Sequence, residues 1–150
     1  MLTPEKLGAI TACAIFIICI LVFAARLKGK SRLEYWLGVL LLFTVMPLLI
    51  LLIKPAPSAN RALYSIQIGL MLLYLLTELI LDYLIKSNFR KTLWLAIVYT
   101  MLFFAGTGGM IGVASLAGRD WMLAAVVLFL IMAGLAFWQH YKVERKIIHE

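Results

Sequence analysis

Five uncharged runs, each about as long as a bilayer is thick, constrain this chain more than any other feature. A hydrocarbon core about 30 Å across takes about 20 helical residues to span. Runs of that order lie at about 7–25, 36–53, 63–85, 93–117 and 121–139, and only the third holds acidic residues, Glu78 and Asp82. The expected fold is an all-α integral membrane protein, a bundle of five transmembrane helices forming a single domain over 1–150. Composition points the same way, with 65% hydrophobic and 14% charged residues against about 45–50% and about 25% in a soluble domain. A soluble globular domain, a disordered tail, a disulfide-stapled module and a nucleic-acid-binding domain are all excluded, because each needs polar surface or cysteine density that this chain lacks.

Basic residues are retained in cytoplasmic loops, so their distribution predicts orientation. One set of connections holds Arg26, Lys28, Lys30, Arg32, Lys86, Arg90, Lys91, Lys142, Arg145 and Lys146; the opposite set holds only Lys6, Lys54, Arg61 and Arg119. The expected topology therefore puts the N-terminus outside and the C-terminus in the cytoplasm, in a prokaryotic plasma membrane. Trp36, Trp94, Trp121 and Trp138 fall near span ends, as Trp at a membrane interface should. Tyr35, Tyr64, Tyr83 and Tyr141 do the same, which leaves Tyr74 and Tyr99 well inside. The net charge of +7 follows from this topology and from attraction to anionic headgroups, so it implies the lipid bilayer as a partner and no nucleic acid.

Local signals refine the ends. Thr3, Pro4 and Glu5 supply a capping hydroxyl, a first-turn proline and an acid at the positive end of a helix dipole, so the first helix should begin near residue 4. The charges follow the apolar run, which is the pattern of an uncleaved segment inserted N-end outward. Asp120 is expected to cap the fifth span, and Pro47 to kink the second. Five spans do not divide into two equal halves, which weighs against an inverted-repeat transporter within one chain.

Several membrane chemistries are excluded by what the spans lack. His140 and His149 lie at or beyond the end of the last span, so no intramembrane haem or histidine-held metal is expected. No cofactor is expected at all: no span carries a lysine for a Schiff base, and no Ser and His pair shares a depth. Cys13 and Cys19 are about 9 Å apart along one helix and cannot bridge each other. The segment Gly106 to Gly112 lacks the lysine of a phosphate-binding loop. Its small residues at four-residue spacing, Gly108 with Gly112 and Ala105 with Gly109, suit close helix packing. A broken helix lining a cavity is the alternative.

One polar constellation remains. Glu78 and Asp82 are four residues apart and share a helix face that Lys86 and Arg90 continue, so Asp82 has an interfacial ion pair within reach. Glu78 lies about 12 Å inside that edge, where an ionised carboxylate is costly. Counting about eight residues inward from the other span ends places Thr44, Thr100 and Gly134 in the same layer, with Tyr99 adjacent and Gly134 leaving room for a neighbouring side chain. With no basic residue at that depth, desolvation favours the neutral acid. Glu78, Asp82, Thr44, Tyr99 and Thr100 are the candidate transport or binding residues, and Ala105, Gly106, Gly108, Gly109, Gly112 and Gly134 form a packing or cavity wall. The leading expectation is a homo-oligomeric, proton- or cation-coupled transporter or channel-like protein with Glu78 as its site, the glycine segment serving as subunit contact or cavity wall. A non-catalytic accessory subunit of a larger membrane complex is the second expectation. A lipid-modifying enzyme is the third, without a nucleophile to support it.

Overall fold

The structure is a computed structural model that describes residues 3–57, 60–84 and 93–148; the side chains at 82–84, 93, 140 and 142–148 lie outside what is described. The first helix, α1 (Pro4–Leu27), starts where Thr3 Oγ1 accepts the Lys6 N–H at 3.4 Å, with Pro4 and Glu5 in its first turn. It continues past the uncharged run to Leu27 and stops at Gly29, whose φ of 67° turns the chain into the left-handed region a glycine adopts freely. The Lys28 and Lys30 N–H groups close this end onto the Ala24 and Ala25 carbonyls at 3.2 and 3.0 Å.

The second span is two helices, α2 (Ser31–Phe43) and α3 (Val45–Ile53), interrupted at Thr44. Pro47 explains the interruption. It has no N–H to give the Phe43 carbonyl four residues earlier, and its ring crowds that turn. Thr44 Oγ1 instead donates to the Leu41 carbonyl at 2.6 Å. Asn60 then caps α4 (Arg61–Glu78), its Oδ1 accepting the Ala62 and Leu63 N–H groups at 3.2 and 3.4 Å. Directly after Glu78 the chain widens into a π-helical turn, Leu79–Leu84.

The last two helices are α5 (Leu93–Ser115) and α6 (Arg119–Ile148), joined by a tight turn at Gly118, whose φ is 124°. Asp120 does not cap α6: the helix begins one residue earlier, so the carboxylate sits inside the first turn and acts on the dipole. At 30 residues, α6 is about 45 Å long and outruns a hydrocarbon core of about 30 Å.

Counting α2 and α3 as one span, the described residues hold five helices long and apolar enough to cross a membrane, and no strand. The first helix is the most enclosed, packing against α2, α3, α5 and α6, while α4 pairs with α5 and touches α3. Their common core is fully buried: Ile15 and Phe16 of α1, Leu48 and Leu51 of α3, Ile68, Met71 and Leu75 of α4, Met110 of α5 and Met132 of α6. Large apolar side chains cover the outside, among them Phe43, Met46, Ile53, Met101, Leu130 and Phe137. Such a surface is stable where lipid tails solvate it, and in lipid the helices are held together by packing and hydrogen bonds more than by water exclusion.

Candidate functional site

The helix ends that carry Arg26, Ser31, Glu78, Leu93 and the last turns of α6 lie at one end of the bundle, called here the basic end. Near it, α1, α4 and α5 enclose Glu78, which is 8% exposed. Tyr74 sits one turn before Glu78 on the same face of α4 and donates its hydroxyl to Glu78 Oε2 at 3.2 Å. Tyr99 reaches across from α5 and donates to the same oxygen, and the two phenol oxygens are 3.2 Å apart. Three oxygens of three side chains thus form a triangle.

The triangle has a chemical property that follows from counting protons. With Glu78 ionised, two phenol protons serve three edges, and both point at the carboxylate. With Glu78 protonated, a third proton allows a closed cycle in which acid, Tyr74 and Tyr99 each donate once and accept once. Hydrogen bonding is therefore available to the cluster in both charge states, which is what a buried group needs to change state without unfolding its surroundings.

Aromatic rings hold the triangle in place. Tyr74 packs edge-on against Phe103 at 5.2 Å between centroids, and Phe103 against Phe23 of α1 at 5.8 Å. Cys19 of α1, buried, lies within electrostatic reach of Glu78 and Tyr74. Arg26, on the last turn of α1, donates from Nε to Glu34 Oε1 at 2.6 Å, and its guanidinium stands 6.0 Å from the Phe23 ring. Glu78 and Tyr99 both contribute to the field at Arg26, which stands at the end of α1 and so nearer the basic end than the depth at which no basic residue was expected. Because α1 runs on to Leu27, its last turn brings a cation to the edge of the cluster.

Of the residues expected around Glu78, Tyr99 hydrogen-bonds to it, while the described hydroxyl bonds of Thr44 and Thr100 stay within their own segments. Thr44 is buried but commits its hydroxyl to Leu41 at the α2–α3 break. Thr100 is exposed and donates to the Ala96 carbonyl of its own helix at 2.8 Å, because a residue next to Tyr99 points about 100° away from it. Gly134 is exposed, with no side chain near where its Cβ would be. The Asp82 side chain, Lys86 and Arg90 lie outside what is described. The α-helical row through Glu78 and Asp82 is interrupted in any case, since the π-turn changes the register after Glu78. Tyr74, Arg26 and Cys19 were not anticipated. The available signal was that Tyr74 and Tyr99 alone among the tyrosines lie well inside the spans.

The glycine segment is helical throughout, within α5, so the broken-helix alternative is overturned. It packs, but through only one residue of each four-residue pair, joined by Gly106. A Cβ on Gly106 would meet the Met71 Cα at 3.1 Å and the Leu70 carbonyl oxygen at 3.2 Å. One on Gly109 would meet the Gln67 Cα at 3.3 Å, and one on Gly112 would collide with the Gln67 amide. Ala105 is exposed and Gly108 faces open space. The contact face is therefore Gly106, Gly109 and Gly112, and α4 of the same chain occupies it. A subunit contact or a partner has to use another surface.

Compared with protein-family models, with curated proteins and with solved structures, the chain finds no match in any of the three.

Proposed function

We propose that this chain is a small membrane transport protein in which Glu78 takes up and releases a proton or a cation, exchanging with the basic end of the bundle. The observation that carries the reading is the triangle of Glu78, Tyr74 and Tyr99: a carboxyl group buried in a bundle of membrane-length helices, with two phenol hydroxyls on one of its oxygens. Ionisable groups inside a membrane are expensive and mark ion and proton pathways. Arg26 supports release, since a nearby cation stabilises the ionised carboxylate, and its own bond to Glu34 keeps it at the edge of the cluster. In this reading the basic end faces the cytoplasm of a prokaryotic plasma membrane and the N-terminus lies outside, which the excess of Lys and Arg supports.

The test is flux into proteoliposomes loaded with a pH-sensitive dye, driven by a potassium diffusion potential, with parallel measurements for sodium and potassium. Wild type should carry flux that Glu78→Gln removes, while the variant's circular dichroism and elution volume match wild type. Equal flux in the two proteins, or none in wild type above empty liposomes, overturns the reading.

A further inference from the structure

Glu78 is not the only polar group on the buried face of α4. Positions 64, 67, 71, 74 and 78 alternate in steps of three and four, which puts them on one face of a helix. They read Tyr64, Gln67, Met71, Tyr74 and Glu78. From Tyr64 to Glu78 the rise is about 21 Å, most of the thickness of a hydrocarbon core of about 30 Å.

The far half of this line has two features that packing does not explain. Tyr64 is 2% exposed, and its hydroxyl has no hydrogen-bond partner among the described residues. A buried, unpaired hydroxyl is destabilising, and phenylalanine would fill the same space without it. Gln67 lies against Gly109 and Gly112 of α5, and its amide occupies the place a Gly112 side chain would take. Two glycines thus make room for an amide in the interior of a span, where leucine would be the ordinary choice. The Tyr64 hydroxyl oxygen lies 3.9 Å from where a Cβ on Gly8 of α1 would stand, and Glu5, in the first turn of α1, lies about one turn before Gly8. Between the halves lies Met71, fully buried, where the α5 backbone at Gly106 comes so near that a Cβ would stand 3.1 Å from the Met71 Cα.

We propose that Glu5, Tyr64 and Gln67 form the second half of a transmembrane proton route that ends at Glu78, closed in this structure at the fully buried Met71. The inference rests on the reading of Glu78 as an exchange site and deepens it by naming the proton as the species carried. Hydroxyl, amide and carboxyl groups both donate and accept hydrogen bonds, so a line of them orders water into a chain along which protons pass. A hydronium on the chain gives one proton to the Glu78 carboxylate, leaving water and the neutral acid. The acid then gives that proton to water at the basic end and returns to the carboxylate beside Arg26. Met71 acts as an apolar constriction of the kind that opens by wetting.

The experiment uses the same dye-loaded proteoliposomes with Tyr64→Phe, Gln67→Met, Met71→Ser, Glu78→Gln and the double variant Met71→Ser/Glu78→Gln. Gln67→Met keeps an unbranched side chain of similar length for the glycine groove. Tyr64→Phe and Gln67→Met should each lower proton flux about tenfold or more, as the loss of one ordinary hydrogen bond does to a barrier. Met71→Ser should raise flux, a gain that misfolding does not produce in a proton-selective form. The double variant should fall to the level of empty liposomes. Wild-type flux in Tyr64→Phe, Gln67→Met and Met71→Ser, with Glu78→Gln silent, overturns the route and leaves the acid site standing. Undiminished flux in Glu78→Gln overturns the site itself, and sodium or potassium flux equal to proton flux overturns the assignment to the proton.

Discussion

Tyr99 of α5 and Tyr64 of α4 make opposite demands on the fold, and single substitutions separate them. Tyr74 and Tyr99 hold a buried carboxyl group, so Tyr99→Phe removes a hydrogen bond that Glu78 then lacks in the interior. The expected loss is about 1–3 kcal/mol, read as a lower melting temperature in mild detergent. Tyr64 carries a hydroxyl with no partner among the described residues, so Tyr64→Phe should be neutral or gain about 1 kcal/mol. A loss at Tyr64 as large as that at Tyr99 would mean that the hydroxyl is bonded after all. The chemistry that made Glu78 a candidate was legible from residue type and depth alone. Its partners were only half legible, because depth counted along straight helices gives a layer but not a direction. Thr100 shares the layer and faces outward; Tyr74, on the acid's own helix, was visible as the residue four positions before it.

Helix α5 shows how far spacing alone carries at the scale of an element. Small residues four apart suggested Gly108 with Gly112 and Ala105 with Gly109, yet the face that meets α4 is Gly106, Gly109 and Gly112. Every third position is used here, and which of several glycine rows is buried is decided by the neighbour, whose Gln67 and Met71 must be accommodated. Two alanine substitutions separate the rows. Gly106→Ala pushes a methyl into the α4 backbone at Leu70 and Met71, which cannot yield as a side-chain tip can, and should destabilise the α4–α5 pair by about 1–3 kcal/mol. Gly108→Ala meets nothing and should gain up to about 1 kcal/mol from helix propensity alone. Equal melting temperatures for the two variants would contradict the packing described.

Across the whole molecule, the number of helices and their approximate ends were readable because bilayer thickness sets a length that uncharged runs must meet. The helices exceed those runs because caps and charged residues belong to helix ends: α1 begins at Pro4 and carries Arg26 in its last turn. That extension is what sequence counting missed, and it is how a cation comes to the edge of the acidic cluster. The orientation expected from the basic residues is testable by itself. With Cys13 and Cys19 replaced by alanine, a cysteine at Lys28 should react with a membrane-impermeant maleimide only in broken cells, and one at Asp120 in intact cells. The reverse pattern would invert the topology and every direction of flux drawn from it.

The π-turn that follows Glu78 amounts to one surplus residue wound into the helix. Deleting a single residue between Leu79 and Leu84 would restore the ordinary winding, leave Glu78 and everything before it in place, and swing the connection to α5 by about 100° about the helix axis. The acid and the helix end beyond it are therefore separately adjustable: one amino acid of length re-aims the end of the helix while the buried carboxyl group keeps its place.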